Sequence, residues 1–323
     1  MSKIAFLFPG QGAQSVGMGH SAWKRYDAVK DLFVQASDIL GFSIADYCFE
    51  GPKEKLDSTA ISQPALFVTS MAALEFLKEE NPEAIESCAG AAGLSLGEYS
   101  ALAFAGAITF EEGLRLVQKR GEAMQAAADA CPSGMVSVLG LDAEKVQEVC
   151  DSARNEGEVL QPANYLCPGN IAVSGHMASC ERVAEVAQAA GAMKTIPLSV
   201  AGAFHTSIMQ PAVDSLSAAV DATKFSDSKV PVYCNVDAAS HAAADEFGPL
   251  LVKQICSPVR WHDTLDALLA DGFDEFYEVG NGRILRGLLK RINRKLPMHG
   301  TLDEIKEAPI PKNHLRNNAY EPR

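Results

Sequence analysis

The sequence predicts an α/β protein with a parallel sheet and a smaller inserted domain. From the N-terminus onward, short apolar runs alternate with helical segments, as in sheets whose parallel strands are joined by helices. The middle of the chain has a different order of strands and helices. The length of 323 residues, with 47% hydrophobic and 21% charged residues, is typical of a soluble globular protein of about two domains.

The main domain is predicted from residues 1–132 and 202–308. Its elements follow in this order: strand 4–8, helix 22–40, helix 63–78, strand 87–93, helix 98–105, helix 110–130 and, after the insertion, helix 207–222, strand 230–234, helix 263–270, strand 273–279 and a basic helix 283–294. Residues 309–323 contain three prolines and few apolar residues, which predicts a flexible C-terminal tail.

The inserted domain is predicted from residues 133–201. Its elements are strand 135–141, helix 143–154, strands 158–163 and 171–175, helix 178–189 and strand 193–200. This βαββαβ order is the ferredoxin-like arrangement.

Composition argues against several classes of protein. The chain has 28 Lys and Arg against 41 Asp and Glu, and a net charge of −13 provides no basic field for nucleic acid. No 18 apolar residues run together without a charge, so we expect no membrane span and a cytoplasmic location. The eight cysteines form no C-x-x-C pair, so we expect neither a disulfide framework nor a metal site.

The strongest chemical signal is the motif Gly93-Leu94-Ser95-Leu96-Gly97, placed between a predicted strand and a predicted helix. A nucleophile elbow needs small residues at both ends, because the sharp turn brings backbone segments close together. The turn would expose the Ser95 hydroxyl at the start of a helix, where a backbone N–H can help to bind an oxyanion. The alternative is a tight glycine turn without a catalytic role.

Such a serine needs a base, and His205 is the best placed of the seven histidines. It follows the predicted strand 193–200 and the small-residue segment 201–203, just before a helix. Active sites of α/β proteins assemble in strand-to-helix loops of this kind, at the carboxyl edge of the sheet. The alternative is a surface or helix-capping histidine.

Arg120 lies on the apolar side of a predicted helix. Thr109 and Glu112 form a capping-box pattern at its start. At 3.6 residues per turn, Arg120 falls beside Val117 and Met124 on the apolar stripe. Because a buried guanidinium needs an anion, its partner is either an acidic residue of this chain or the carboxylate of a substrate.

The segment Phe8-Pro-Gly-Gln-Gly-Ala-Gln14 follows the first strand. Its glycines would let backbone N–H groups turn toward a ligand, as at phosphate and oxyanion sites. It is not a G-x-G-x-x-G motif and no Walker lysine follows it, so nucleotide binding is poorly supported.

Together these motifs resemble the malonyl-CoA:acyl carrier protein transacylases, which are acyltransferases of fatty acid and polyketide synthesis. The resemblance covers about residues 4–296 and implies an α/β-hydrolase-like core with a ferredoxin-like insertion. Its markers are Phe8-Pro-Gly-Gln-Gly-Ala-Gln14, Gln63-Pro64-Ala65, Gly93-Leu-Ser-Leu-Gly-Glu-Tyr99, Arg120, Asn170, Val173-Ser-Gly175, Gly202-Ala-Phe-His205, Pro258-Val-Arg-Trp261 and Glu278-Val-Gly-Asn-Gly282.

The resemblance implies a role for each matching position. Ser95 would be the nucleophile and His205 its base, oriented by the backbone carbonyl of Gln254. One departure is Leu94, because many members have histidine at this position. The other positions would form the acyl site: the backbone N–H groups of Gln11 and Leu96 as the oxyanion hole, Arg120 as the clamp on the malonyl carboxylate, and Gln63, Phe204 and Asn170 as further substrate contacts. Phe204 is similar to the malonyl-selective version of the family.

The implied reaction transfers a malonyl group from malonyl-CoA to the phosphopantetheine thiol of an acyl carrier protein, through a malonyl-serine intermediate, for fatty acid biosynthesis. The resemblance implies no cofactor, the carrier protein and coenzyme A as partners, and a monomer. Three alternatives are a serine esterase or thioesterase, a malonyltransferase of a polyketide synthase, and a non-catalytic carrier-binding subunit. The chain has no lipase-like His-Gly-Gly-Gly motif, which argues against an esterase.

Basic residues are concentrated near the predicted last helix. They are Arg283, Arg286, Lys290, Arg291, Arg294 and Lys295. Either the helix dipole favours cations at this C-terminus, or the residues form a docking surface for an acidic carrier protein.

Overall fold

The structure is a computed structural model that describes residues 2–302. Within these residues the strands are β1 (Ile4–Phe8), β2 (Cys88–Gly93), β3 (Ser133–Leu139), β4 (Leu160–Cys167), β5 (Asn170–His176), β6 (Lys194–Pro197), β7 (Val232–Tyr233), β8 (Ser240–His241), β9 (Glu275–Glu278) and β10 (Met298–His299). The helices are α1 (His20–Arg25), α2 (Asp27–Leu40), α3 (Ile44–Phe49), α4 (Lys53–Leu56), α5 (Thr59–Glu80), α6 (Pro82–Ser87), α7 (Gly97–Ala105), α8 (Phe110–Asp129), α9 (Ala143–Ala153), α10 (Met177–Ala189), α11 (Gln210–Asp221), α12 (Ala244–Gln254), α13 (Trp261–Ala270) and α14 (Ile284–Ile292). The predicted tail 309–323 lies outside the described residues.

The main sheet has the strand order β10-β9-β1-β2-β7-β8. All neighbours are parallel except β7 and β8, which are antiparallel. All five residues of β1 are buried, as expected for a strand covered on both faces. Because β1, β2 and β7 are parallel neighbours, the loops that follow them meet at one carboxyl edge of the sheet, where α/β proteins build their sites.

Helix α5 is largely buried in the main domain, and by length and composition it could cross a membrane. Its most apolar window has a mean hydropathy of 1.3, but 78% of that window is buried inside the protein. The helix is therefore a core element. It also brings Gln63, which is fully buried, into the interior of the domain.

The inserted segment forms a separate antiparallel sheet with the order β4-β5-β3-β6, which confirms the ferredoxin-like arrangement. Helices α9 and α10 pack against the sheet through an apolar core that includes Val138, Val146 and Val183. Strand β4 also meets the main domain, because the backbone N–H of Val259 donates to the carbonyl of Ala163 at 2.8 Å. The exact division at 132/133 and 201/202 stays a prediction.

Two predicted helices differ from the structure. The predicted helix 22–40 is broken at Tyr26, which is extended and hydrogen-bonds Glu80 at the end of α5. The helix predicted over 207–222 begins with a 3₁₀ turn, Ser207–Met209, before α11. Helix α12 was not predicted, because it contains a proline and its N-cap residue, Ala243, has no capping side chain. Long-range contacts and a tolerated proline therefore override the local signals.

Candidate active site

The turn between β2 and α7 presents Ser95 at the carboxyl edge of the main sheet. Ser95 has φ 50°, in the left-handed region that residues other than glycine rarely adopt. The flanking glycines are required, because a Cβ on Gly93 would lie 1.9 Å from the carbonyl carbon of Gly97. A Cβ on Gly97 would lie 2.1 Å from the carbonyl oxygen of Phe8. The structure thus has the strand-turn-helix context that a nucleophile elbow needs.

His205 approaches this turn from the segment that returns from the small domain. Its Nε2 lies 2.8 Å from the Ser95 Oγ, and its Nδ1 lies 2.9 Å from the backbone carbonyl oxygen of Gln254. A carbonyl oxygen can only accept, so the Gln254 contact assigns the ring proton to Nδ1. Nε2 is then the acceptor for the hydroxyl proton of Ser95.

The segment that carries His205 is also fixed by the small sheet. His205 itself has φ 62°. From β5, the Ser174 hydroxyl donates to the carbonyl oxygen of Phe204 at 2.8 Å. From β4, the Gln161 amide donates to the carbonyl oxygen of His205 at 3.3 Å. Side chains of the inserted domain therefore hold the peptide groups on both sides of His205.

The environment of His205 keeps its ring neutral. Only 2% of the residue is exposed, and burial lowers the pKa of His205 to about 4, with the nearby Arg120 charge acting in the same direction. At neutral pH the imidazole can therefore accept a proton from Ser95, as a general base must.

Arg120 is 1% exposed and donates three hydrogen bonds around Ser95. They go to Gln63 Oε1 at 2.8 Å, to Gln254 Oε1 at 2.9 Å and to Ser95 Oγ at 3.0 Å. All three acceptors are neutral, and within residues 2–302 Arg120 forms no salt bridge with an acidic side chain. The sequence left two possible partners for Arg120, an acidic residue of this chain or a substrate carboxylate. The structure does not show the first.

The predicted oxyanion-hole donors lie in two segments that touch. Leu96 follows Ser95 directly, and Gln11 lies in the loop after β1. This loop is pressed against the turn, because a Cβ on Gly10 would lie 2.2 Å from the carbonyl oxygen of Leu94. In the described part of the chain, neither the Leu96 nor the Gln11 backbone N–H donates a hydrogen bond. Both are available to a ligand, and their role as an oxyanion hole stays a prediction.

Of the two further predicted substrate contacts, Phe204 lies next to the site and Asn170 lies away from it. Phe204 is 5% exposed and directly precedes His205. Asn170 is the first residue of β5 and accepts a hydrogen bond from Ser137 at 2.9 Å. It lies four residues from Ser174, roughly 13 Å along an extended strand. The structure does not bring the Asn170 side chain into hydrogen-bonding contact with Ser95, and its role in substrate binding stays a prediction.

The basic residues around α14 also divide into two groups. The side chain of Arg286 is only 12% exposed, and its Nε lies 3.5 Å from the carboxylate of the fully buried Glu278. Glu278 also accepts hydrogen bonds from the backbone N–H groups of Leu285 and Arg286. Arg286 therefore packs inside the protein, whereas the other predicted docking residues are exposed: Arg283, Lys290, Arg291 and Arg294.

Two buried polar residues at this site were missed in the sequence. Glu98 lies in the first turn of α7, and Asn235 follows β7 at the carboxyl edge of the sheet. Both are fully buried. A polar residue directly after a predicted strand was the available signal for Asn235, and Glu98 gave none beyond its closeness to Ser95.

The α/β core and this hydrogen-bonded serine and histidine are the arrangement found in acyltransferases and in serine hydrolases, two classes that share acyl-serine chemistry. A comparison with protein families separates the two. The family model for the acyl transferase domain matches residues 5–295, and the chain belongs to this family. It is an acyltransferase.

Individual relatives cover nearly the whole chain. It is 42% identical over 298 residues to the malonyl CoA-acyl carrier protein transacylase of Bacillus subtilis, covering 92% of each chain. A Staphylococcus aureus protein of the same name is 39% identical over 311 residues, covering 95% of this chain and 98% of the relative.

Solved structures agree. The malonyl CoA-acyl carrier protein transacylase of Coxiella burnetii has a TM-score of 0.88 and 35% identity, covering 93% of this chain and 94% of that one. A malonyl-transacylase solved with its type II polyketide synthase acyl carrier protein has a TM-score of 0.89 and 35% identity, covering 93% and 96%. The resemblance and the fold predicted from the sequence are thereby confirmed.

Proposed function

We propose that this chain transfers the malonyl group of malonyl-CoA to the phosphopantetheine thiol of an acyl carrier protein, for fatty acid biosynthesis. The observation that carries the proposal is the contact between the buried Arg120 guanidinium and the Ser95 hydroxyl, at 3.0 Å. A fixed cation beside the nucleophile suits an acyl group that carries its own carboxylate. The names of the relatives support the same substrate and acceptor.

The first half-reaction forms the acyl-enzyme. His205 Nε2 takes the proton of Ser95 Oγ as the oxygen attacks the thioester carbonyl of malonyl-CoA. The N–H groups of Leu96 and Gln11 stabilise the oxyanion of the tetrahedral intermediate. When the carbon–sulfur bond breaks, the imidazolium returns its proton to the coenzyme A sulfur, and malonyl-Ser95 remains.

The second half-reaction uses the same groups in reverse. His205 accepts the proton of the carrier-protein thiol, and the sulfur attacks the malonyl-serine ester. Collapse of the intermediate releases Ser95, which regains a proton from His205. The two substrates therefore react in turn rather than together. The nucleophile, the base and the cation are all side chains of this chain, and we propose that the reaction needs no cofactor.

Arg120 supplies selectivity in this proposal. The N–H that donates to Ser95 Oγ is within reach of a carboxylate on a serine-bound acyl group, while Gln63 and Gln254 hold the rest of the guanidinium. An acetyl or long-chain acyl group would leave this buried charge without its anion. A hydrolase acting on uncharged esters has no use for such a cation.

The carrier protein is proposed to dock on the exposed basic residues near α14. Lys290 and Arg291 lie in the last turn of that helix, and both are exposed. Changing both to Glu should raise the KM for carrier protein about fivefold at low salt, because rim charges act on association. The matched control reverses Arg115 and Lys119, which are exposed on α8. A KM for malonyl-CoA that rises equally would contradict the docking assignment.

The location and acceptor pathway belong to the same proposal. We place the protein in the cytoplasm and take it to act as a monomer. One structural neighbour is a malonyl-transacylase bound to a polyketide carrier protein, which favours polyketide synthesis as the second candidate pathway. Relative kcat/KM values for purified fatty-acid and polyketide carrier proteins decide between the two.

Intact-mass spectrometry tests the function directly. After brief exposure to malonyl-CoA, the protein should gain one malonyl group, and added holo carrier protein should discharge it. The Ser95→Ala variant is the control and should gain no mass. Free malonate without an adduct would indicate a hydrolase, and neither adduct nor malonate would indicate a non-catalytic subunit.

A further inference from the structure

The backbone of Ser95 needs support that its own turn does not supply. A residue other than glycine is strained in the left-handed region, so the surroundings of Ser95 must hold it in place. Its backbone N–H precedes α7 and has no partner inside the helix. The contacts of that N–H therefore identify what fixes the turn.

The side chain of Asn235 bridges the turn. Its Oδ1 accepts from the Ser95 backbone N–H at 2.6 Å, and its Nδ2 donates to the carbonyl oxygen of Gly93 at 2.7 Å. One planar amide thus fixes the peptide groups on both sides of Leu94. Because Asn235 is 0% exposed, water cannot replace these hydrogen bonds.

Asn235 is itself fixed by its backbone. Its N–H donates to Glu98 Oε2 at 2.7 Å, and its carbonyl oxygen accepts from the N–H of Arg260 at 2.9 Å. Glu98 lies on α7 and its own N–H donates to the carbonyl oxygen of Ser95 at 3.1 Å. The turn, Glu98 and Asn235 therefore form a closed, buried ring of hydrogen bonds.

We propose that Asn235 is a positioning residue for acyl transfer. Its side-chain amide holds Ser95 so that Oγ points at His205 Nε2, and it occupies the Ser95 N–H so that the Leu96 N–H is the one presented to the oxyanion. The asparagine amide offers an acceptor atom and a donor atom side by side, whereas leucine offers neither and an aspartate carboxylate offers two acceptors. The inference rests on the proposed role of Ser95 as the nucleophile.

The first test measures the reactivity of Ser95 without malonyl-CoA. In Asn235→Leu, the rate constant for labelling by phenylmethylsulfonyl fluoride should fall roughly 30- to 100-fold, because a small misplacement of a nucleophile has effects of this size. In single-turnover acylation the maximal rate should fall similarly, while the malonyl-CoA concentration at half-maximal rate changes less than about threefold, since Arg120 and Gln63 are intact.

The matched control is Thr69→Val. It removes the buried hydrogen bond that the Thr69 hydroxyl donates to the carbonyl of Ala65 within α5. It should label within about twofold of the unchanged protein. Equal labelling rates in the two variants would overturn the proposal. If the unchanged protein labels at Ser95 but gains no malonyl group, the proposed function fails and the role of Asn235 is still tested.

The second test needs no variant. In the unchanged protein, the Ser95 amide hydrogen should exchange with solvent at least about 100-fold more slowly than the Leu96 amide hydrogen, because only the first is hydrogen-bonded. Nuclear magnetic resonance with backbone assignments measures both rates. Equal exchange of the two amides would show that Asn235 does not hold the turn.

Discussion

Ser95 and His205 share a left-handed backbone but are held by different parts of the molecule. Ser95 is fixed inside the main domain, by the close packing at Gly93 and Gly97 and by the side chain of Asn235, which follows β7. His205 is held from two directions, by the carbonyl of Gln254 in α12 and by side chains of the small sheet. The nucleophile therefore depends on the core alone, whereas the base depends on contact between two sheets.

The largest expected effect comes from removing the base. In His205→Ala, the rate of malonyl-CoA acylation should fall roughly 10⁴-fold or more, because among residues 2–302 no other base contacts the Ser95 hydroxyl. Quenched-flow mass spectrometry measures the adduct. His262→Ala is the control and should acylate normally, because His262 is a partly exposed residue of α13 that contacts Asp266. A loss smaller than 100-fold would mean that another group serves as the base.

The next largest effect is expected from Arg120, which contacts Ser95 directly and also contacts Gln254, the residue that orients His205. In Arg120→Ala, malonyl acylation should fall about 10²- to 10³-fold, the size expected when a buried charge partner is lost. Acetyl-CoA should become a better substrate relative to malonyl-CoA, because no unpaired charge is left in the site. Competition between the two thioesters measures this ratio.

Arg115→Ala is the matched control for Arg120. It lies on the same helix, is exposed and pairs with Glu111. Its ratio of acetyl to malonyl transfer should equal that of the unchanged protein. An unchanged ratio in Arg120→Ala as well would remove the carboxylate clamp from the mechanism.

A smaller effect is expected from removing a contact by which the small sheet supports His205. Ser174→Ala leaves the carbonyl of Phe204 without its donor and should slow acylation roughly tenfold, since losing one buried hydrogen bond is worth about 1–2 kcal/mol. Ser137→Ala is the control, because it lies on the same sheet but contacts Asn170 instead. Equal rates in the two variants would show that the small sheet does not hold the base.

The smallest expected effect is in the pH profile. Because the pKa of His205 is lowered to about 4, its ring stays unprotonated as the pH falls from 7 to 5.5. The rate constant for Ser95 labelling by a sulfonyl fluoride should therefore fall less than about twofold, whereas an ordinary histidine would lose about tenfold. Activity is lost only as the pH falls through about 4. A midpoint near 6.5 would contradict the buried, neutral base.

The sequence predicted the parts of the site that depend on local pattern. The elbow was recognisable because its glycines and its strand-turn-helix context are contiguous, and Arg120 because a charge on an apolar helix stripe stands out. Family resemblance was needed for Gln254, since it contributes a backbone carbonyl that no side-chain pattern reveals. The same resemblance assigned a role to Asn170, which the structure places at the far end of β5.

Contacts between segments that are far apart in the sequence could not be predicted from local sequence patterns. Asn235 is 140 residues from Ser95, and Ser174 is 30 residues from Phe204. At the break in the predicted helix, Tyr26 hydrogen-bonds Glu80, 54 residues away. Arg286 looked like its exposed basic neighbours, because its partner Glu278 precedes the helix and lies in another element.

The contacts from β4 and β5 to the segment around His205 also limit how this molecule can be re-engineered. Exchanging residues 133–197 for the corresponding part of a relative would replace Gln161 and Ser174, and with them the donors that align the imidazole. A chimera built to accept a different carrier protein would thus combine the main domain of this protein with foreign side chains around His205. The insert and the returning segment up to Thr206 have to be transplanted as one unit.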